Sequence, residues 1–158
     1  MLARVAEEGL IATEAPVDLA NWTAKARKTI EGPEPDSLYV LEDDGRIVGA
    51  AGVHSTPVAG VLSLGMMVLP EFRGRGGGRA LLMSVVEHAR ASGAHKLELQ
   101  VWPDNVAAVE LYKSAGFEVE GLRRSHYRRR DGSLRSALLM AVVLATQDDV
   151  HWERPTLP

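Results

Sequence analysis

The segment of the sequence best suited to chemistry is a glycine-rich loop, Arg73-Gly74-Arg75-Gly76-Gly77-Gly78-Arg79. An apolar run from Leu62 to Leu69 precedes it and ends at Pro70, which cannot continue a strand ladder. Apolar residues then recur at helical spacing from Ala80 to Ala89. Glycines at a helix start leave backbone N–H groups without partners, and the helix dipole adds positive potential, so the pattern favours a phosphate or pyrophosphate ligand. A loose turn with solvated arginines is the alternative interpretation.

The residues after the glycines exclude two familiar nucleotide-binding loops. A P-loop requires a lysine and then a serine or threonine after its last glycine, whereas Arg79 and Ala80 follow Gly78. A dinucleotide-binding fingerprint requires a glycine where Leu81 stands. Both familiar nucleotide-binding loops are therefore excluded.

Two segments together resemble the GNAT superfamily of acyl-CoA-dependent N-acetyltransferases. Val68-Leu69-Pro70 followed by Arg73 to Gly78 matches the family's Arg/Gln-x-x-Gly-x-Gly/Ala loop. The segment from Asn105 to Phe117 matches its Asn-x-x-Ala-x-x-Leu-Tyr-x-x-x-Gly-Phe pattern. One departure is Gly77, where the family usually places an aliphatic residue. The resemblance implies acetyl-CoA as co-substrate, no metal, and an amine as acceptor, whose identity it does not specify.

The resemblance also implies that the main chain holds most of the cofactor. The loop from Arg73 to Arg79 would bind the pyrophosphate. In this family two parallel strands splay apart and the pantetheine arm enters the gap, and here those strands would be Leu64–Leu69 and Leu97–Val101. Main-chain atoms near Met66 and Val68 would then hold the arm, because a gap leaves backbone groups unpaired. Asn105 would also reach the arm, although it is equally suited to cap the next helix.

By the same resemblance, Tyr112 is the candidate general acid, because its family counterpart can protonate the departing thiolate. A phenol with a pKa of about 10 is protonated at neutral pH. A core tyrosine on an apolar helix stripe is the alternative. Many relatives carry a glutamate on the central strand to remove the proton of the amine, where this chain has Ser63. Glu98, His54 and capture of the deprotonated amine through water remain open as routes for that proton.

Helix and strand signals place these residues in one α/β domain. Because a helix separates them, the strand at Lys96–Val101 should lie parallel to the strand that starts at Leu62, and its alternation puts Glu98 and Gln100 on one face. With the resemblance, the predicted fold is a mixed, largely antiparallel α/β (α+β) sheet, flanked by helices and splayed at two parallel strands. The other expected strands are Leu38–Leu41 and Ile47–Val53, joined by an Asp-Gly turn, and Phe117–Gly121 and Leu134–Leu144.

The beginning of the chain is shorter than the family pattern. Leu2–Glu8 reads as helical, Leu10–Thr13 as a short extended piece, and no strand signal precedes Ala3, so the family's first strand is predicted to be missing. An uncovered sheet edge needs a cover, either the tail from Ala145 to Pro158 or a second subunit, and we expect a homodimer. Asp18 should cap a helix that runs to about Glu31 and buries one face, formed by Leu19, Trp22, Ala26 and Ile30.

Composition limits the classes of function. The chain has 158 residues, 46% of them hydrophobic, which fits one domain over 1–158 with 145–158 as a C-terminal tail. The net charge of -3 gives no general attraction to nucleic acid or membrane, and the absence of cysteine suits a reducing cytoplasm. No apolar run reaches membrane-spanning length, and the histidines lack the spacing of metal ligands. A basic stretch is most simply solvated surface: Arg123, Arg124, His126, Arg128, Arg129, Arg130 and Arg135.

The predicted function is transfer of acetyl from acetyl-CoA to an amine of a small molecule, an amino acid or a protein N-terminus, by direct attack in a ternary complex. No covalent enzyme intermediate is expected, because the chain has no cysteine and no serine in a nucleophile elbow. Two alternatives remain open. The domain could be an acyl-CoA-binding sensor with little catalysis, or an adaptor that uses the arginine-rich hairpin near Tyr127.

Overall fold

A computed structural model describes residues 1–32 and 35–145 of the chain. A short 3-10 turn, Pro70–Phe72, precedes the glycine loop. The helices are α1 (Leu2–Glu7), α2 (Leu19–Glu31), α3 (Gly77–Ala91) and α4 (Val106–Ser114), and the strands are β1 (Ser37–Asp43), β2 (Arg46–Ser55), β3 (Val61–Val68), β4 (Lys96–Val101), β5 (Glu118–Arg128) and β6 (Leu134–Val143).

The six strands form one mixed sheet in the order β1-β2-β3-β4-β6-β5. Only β3 and β4 pair in parallel, and the other four pairs are antiparallel. The parallel pair follows from the crossover through α3, which returns the chain to the same edge before β4 begins. The mixed sheet, the parallel pair and the flanking helices confirm the predicted fold class, and no strand precedes β1 among the described residues, as expected.

The β3–β4 pair opens before either strand ends. Their register runs from Val61 opposite Lys96 to Leu64 opposite Leu99 and stops there. β3 nevertheless continues to Val68, paired with β2, while β4 continues to Val101, paired with β6. Beyond Leu64 the two strands therefore diverge, and their facing backbone groups are left without strand partners, which is the predicted gap.

The main core lies between the sheet and the face carrying α3. Leu81, Leu82, Val85, Val86 and Ala89 of α3 are buried at helical spacing. They pack with the inward residues of the central strands, which include Leu62, Leu64, Leu97 and Leu99. A smaller cluster on Val5, Val48 and Leu69 joins α1 to the end of β3. The core therefore fixes the C-terminal ends of β3 and β4 next to the first turn of α3.

Three local expectations need correction. Helix α2 is capped by Asp18 as predicted, with the Asn21 amide 2.9 Å from the Asp18 carboxylate. Its buried face is centred on Thr29, however, whereas Leu19 and Ile30 are 58% and 65% exposed. This helix contacts only a narrow part of the sheet, so its four apolar residues cannot all pack against the sheet.

The other two corrections concern extended segments. Residues 10–13 form no strand, so β1 is the first edge strand of the described sheet. β5 runs to Arg128, well beyond the expected Gly121, because its pairing with β6 continues past irregularities in register. The predicted role of the tail as an edge cover falls on residues 146–158 and lies outside the described residues.

Candidate active site

The glycine loop has a conformation that requires glycine at two positions. Gly74 and Gly76 have φ values of +72° and +86°, in the left-handed region that residues with a Cβ avoid. Gly76 is the N-cap of α3, and the helix already begins at Gly77, earlier than the apolar pattern from Ala80 indicates. The sharp turn thus brings the helix start directly against the end of β3.

The backbone amides of this loop point away from the protein's own acceptors. Arg73 donates its amide to the Pro70 carbonyl at 3.2 Å, and Ala80 donates to the Gly76 carbonyl at 3.0 Å. Between them, no amide of residues 74–79 donates to another described residue outside the helix ladder, as expected for a first helical turn. A row of bare N–H groups at the positive end of a 15-residue helix suits an anion.

The unusual Gly77 is explained by its neighbour on β1. A Cβ built on Gly77 would collide with Cδ2 of Leu41, whose side chain occupies the space in which an aliphatic residue would lie. Leu41 also lies 3.2 Å from the Cβ position of Gly49. An apolar anchor for the helix start is therefore present, but β1 supplies it rather than the loop itself.

The three arginines of the loop have different surroundings. Arg73 donates to the Val68 carbonyl at 3.0 Å and to the Glu8 carboxylate at 2.6 and 3.2 Å, so its side chain ties α1 to the end of β3. The guanidinium of Arg75 lies 5.2 Å from the Phe72 ring centre. Arg79 donates to the Ser114 hydroxyl at 3.1 Å on an exposed surface. Arg75 and Arg79 are thus the side chains best able to turn toward a ligand at the loop.

The gap between β3 and β4 opens directly beneath this loop. Val68 is buried and Met66 half-buried, and both side chains lie within 4 Å of the Cβ position of Gly78. Their side chains therefore pack under the helix start, while their main chain borders the gap. At the far side, Asn105 caps α4 through a 3.4 Å contact from the Ala108 amide to its side-chain oxygen. The capping role of Asn105 is confirmed, and its role toward the cofactor stays a prediction.

Tyr112 lies on α4 and packs into the main core. The residue is 7% exposed, and its ring centre is 5.8 Å from that of Phe117. Burial raises the pKa of Tyr112 to about 12, so the phenol holds its proton throughout the neutral range. Among the described residues, Trp102 Nε1 is the one fully buried side-chain N or O atom without a partner. The Tyr112 hydroxyl is therefore not a fully buried atom without a partner.

The two candidate bases, His54 and Glu98, lie in one cross-strand row with Ser63, on the face of the sheet turned away from α3. His54, Ser63 and Glu98 are direct cross-strand neighbours on β2, β3 and β4. The row adjoins the last paired residues before the gap, Leu64 and Leu99. Strand alternation puts all three side chains on the face away from α3, because Leu62, Leu64 and Leu97 point into the core. The sheet brings together three residues that are far apart in sequence.

The contact between Thr29 and His54 favours one tautomer of the ring. Thr29 donates its single hydroxyl proton to the Lys25 carbonyl at 3.1 Å. Its 3.5 Å contact with Nδ1 of His54 can then be a hydrogen bond only if Nδ1 is the donor. In the neutral ring this leaves a lone pair on Nε2, which lies 3.1 Å from the Cβ position of Gly52 and so sits over the central strands.

Comparison with known proteins places this geometry in a family. The model of the acetyltransferase (GNAT) family matches residues 7–117. The chain belongs to this family. The ribosomal protein bS18-alanine N-acetyltransferase of Haemophilus ducreyi is 28% identical over 135 residues, or 85% of this chain and 92% of that protein. N-alpha-acetyltransferase RimI of Mycobacterium tuberculosis is 39% identical over 98 residues, 60% of each chain. The crystal structure of ribosomal-protein-alanine N-acetyltransferase from Brucella melitensis, 26% identical, gives a TM-score of 0.78 over 90% of this chain and 91% of that one.

As a GNAT enzyme, the protein transfers acetyl from acetyl-CoA to an amine. The sensor alternative is not favoured by these relatives, which are named as N-acetyltransferases. In the described part of the chain, no group of three histidine, cysteine or carboxylate side chains is placed to hold a metal ion. None of the described helices combines the length and apolar character needed to cross a membrane.

Sequence reasoning missed two polar residues of the acetyltransferase that lie beside the gap. The Tyr127 hydroxyl donates to Oε1 of Gln100 at 2.8 Å, and the Tyr127 ring packs edge-on against Trp102, 5.0 Å between ring centres. Gln100 follows Glu98 on the same face of β4, so the alternation of that strand already contained the signal. Tyr127 could not be found in this way, because it reaches Gln100 from the far end of a hairpin.

Much of the basic stretch is used inside the GNAT domain. The β5–β6 hairpin fastens the segment between α1 and α2, because Arg135 donates to the Gly9 carbonyl at 2.6 Å and Arg130 to the Ala15 carbonyl at 2.7 Å. Arg129 is paired with Glu14 at 3.5 Å, and Arg135 also binds the Asp104 carboxylate. These three arginines have partners within the domain, whereas the sequence alone predicts solvated surface.

Proposed function

We propose that this acetyltransferase acts on the α-amino group of a protein or peptide N-terminus. The observation that carries the proposal is the position of the sheet gap, which the glycine loop adjoins on the α3 side. We place the acceptor on the other face. On that face His54, Gly65 and Gln100 are exposed, while Ser63 and Glu98 are half-buried. The relatives named for ribosomal protein alanine support the same class of acceptor.

Acetyl-CoA is proposed to lie along the gap, bound mainly by main-chain atoms. The amides of residues 74–79 would bind the pyrophosphate, with Arg75 and Arg79 adding charge. The unpaired groups of β3 near Met66 and Val68 would bond the amides of the pantetheine arm, and Asn105 would contact it from α4. This arrangement points the thioester toward the last paired residues of β3 and β4, next to Tyr112.

The reaction is proposed to proceed by direct attack in a ternary complex. The neutral amine forms a bond to the thioester carbonyl carbon, and the carbon–sulfur bond breaks as the tetrahedral intermediate collapses. The nitrogen, positively charged after the attack, releases its extra proton to solvent, while Tyr112 donates its phenolic proton to the leaving thiolate and recovers one from solvent. A direct route needs no enzyme nucleophile, consistent with a chain that contains no cysteine.

The proton of the acceptor ammonium must leave before attack, and His54 is the preferred base. Its Nε2 would carry the lone pair, and it lies over Gly52 of β2, the cross-strand partner of Gly65 on β3. Glu98, in the same cross-strand row, remains the second candidate and can also attract the positively charged amine. Ser63 between them can relay a proton through water.

Cytoplasmic location and a homodimer are further proposals. Self-association is supported by the edge strand β1, where Val40 is 51% exposed, and by Ile47, which is 49% exposed on the neighbouring strand. A second subunit would cover this edge. Sedimentation at low micromolar concentration checks the proposal, and a compact monomer would contradict it.

The test of the acceptor class is a turnover assay with acetyl-CoA and a panel of amines. The panel contains peptides with free N-termini, the same peptides with blocked N-termini and an internal lysine, free amino acids and polyamines. We expect mass spectrometry to find acetyl on the α-amine of the free peptides. Turnover confined to lysine side chains or polyamines would overturn the proposal.

A further inference from the structure

A glycine in the central strand β3 is exposed at the mouth of the gap. Gly65 is the first residue after Leu64, the last residue of β3 that pairs with β4. Strand alternation points it to the face that carries Ser63 and Glu98. A Cβ built on Gly65 would have no heavy atom within 4 Å. The middle of the sheet is thus bare at this point, although central strands are normally covered.

The usual structural reasons for a strand glycine do not apply to Gly65. Its φ is not positive, and the β2–β3 register runs through it without a bulge. Close packing is the reason at Gly49, whose Cβ would lie 3.1 Å from Leu81 and 3.2 Å from Leu41. At Gly65 no such neighbour exists. Because glycine weakens a strand interior, an open strand glycine marks a place where something approaches the backbone closely.

The surroundings of Gly65 suit an amine acceptor. Gly52 is its direct partner on β2, and the His54 ring lies over Gly52, so Nε2 stands beside the opening. On the other side, Gln100 is the next residue of β4 on this face after Glu98, and Tyr127 holds its side-chain oxygen at 2.8 Å. With that oxygen engaged, the NH2 group of Gln100 is left to donate.

We propose that Gly65 is the floor of the acceptor site and determines which N-terminal residue the enzyme accepts. The substituent on the amine-bearing carbon lies over Gly65, the amine faces His54, and the Gln100 amide donates to the carbonyl that follows that carbon. The acceptor class is therefore an α-amino amide with a side chain on its first residue. This inference rests on the proposed function.

The test pairs residue size at position 65 with residue size on the acceptor. Gly65→Ala and Gly65→Val are assayed with peptides that begin with glycine, alanine or leucine and are otherwise identical. Gly121→Val is the matched control, because Gly121 is also a strand glycine with non-positive φ and a Cβ position no closer than 3.9 Å to its neighbours. Acetyl-CoA affinity is measured by calorimetry for every variant.

We expect Gly65→Val to raise the KM for the leucine peptide by on the order of tenfold or more, and that for the glycine peptide much less. Affinity for acetyl-CoA should match wild type, and Gly121→Val should behave as wild type in both assays. Gly65→Ala should show the same trend with a smaller amplitude, which keeps the test valid if the valine variant fails to fold.

Two results would overturn the inference. Unchanged peptide KM values in a folded Gly65→Val enzyme would remove Gly65 from the site, and an equal rise for all three peptides would show that the first side chain does not lie there. Failure of the proposed function looks different, because the wild-type enzyme would then acetylate none of the three peptides.

Discussion

In the proposed function, the two sides of the sheet gap would recognise their ligands by different means. On the donor side, the loop of residues 74–79 offers backbone amides, and its left-handed Gly74 and Gly76 set their direction. On the acceptor side, His54, Ser63 and Glu98 come from three strands and offer side chains. Recognition by the main chain depends on a local backbone conformation and so leaves a contiguous motif. Recognition by side chains depends on strand pairing and leaves none.

The largest expected effect is on the donor side. Gly78→Glu places bulk and negative charge in the first turn of α3, where a Cβ itself fits at 3.5 Å from Leu111. Because the carboxylate would repel the pyrophosphate, we expect the Kd for acetyl-CoA to rise by on the order of a hundredfold. Calorimetry measures this, with Gly78→Ala as the control that adds a methyl group but no charge. If the glutamate variant is folded and binds acetyl-CoA normally, the loop does not bind phosphate. Gly76→Glu tests the same role, but it also strains the backbone because Gly76 has a positive φ.

Tyr112→Phe separates proton donation from packing at the junction of the two sides. The ring and its contact with Phe117 remain, while the proton is lost, so kcat should fall on the order of a hundredfold with little change in acetyl-CoA affinity. The rate must be measured where chemistry is limiting. Equal rates in the two proteins would assign Tyr112 to the core alone.

His54→Gln and Glu98→Gln distinguish the two candidate bases on the acceptor side. If His54 takes the proton, His54→Gln should lower kcat/KM at neutral pH by on the order of tenfold and recover part of it at higher pH, where the acceptor amine is already neutral. Glu98→Gln should then chiefly raise the acceptor KM. If instead Glu98→Gln lowers kcat/KM at neutral pH and recovers at higher pH, the base is Glu98. If neither variant changes the pH profile of kcat/KM, water removes the proton.

The last expected effect concerns alkaline stability rather than either side of the gap. Tyr112 has its folded pKa raised to about 12, against about 10 in the unfolded chain. Below pH 10 both states keep the proton and pH has no effect through this group. Between pH 10 and 12 only the unfolded chain releases it, so the free energy of unfolding should fall, by up to about 3 kcal/mol. Urea unfolding at several pH values between 10 and 12 measures this. The free energy of unfolding should fall less with pH for Tyr112→Phe than for wild type, and an equal fall in the two proteins would mean that the phenol is not buried in solution.

Local patterns predicted most of the helices and strands correctly. The hairpin at Asp44-Gly45 forms with both residues at positive φ, as an Asp-Gly turn between apolar runs indicates. The parallel β3–β4 pair follows from one intervening helix. The prediction of the buried face of α2 was wrong, because burial depends on how much of the sheet a helix contacts. Hydrophobic periodicity does not contain that information. The end of β5 was missed because ladder pairing extends a polar strand that has no apolar signal of its own.

The sequence by itself determined the donor side of this acetyltransferase. Glycines, a helix start and a preceding strand act within about twenty residues, so their chemistry can be read along the chain. Only the tertiary structure decided the acceptor side. Thr29 favours one tautomer of His54, Tyr127 orients Gln100, and the exposure of Gly65 depends on two strands diverging. Each of these is a contact or an opening between distant segments, and such features exist only after the chain has packed.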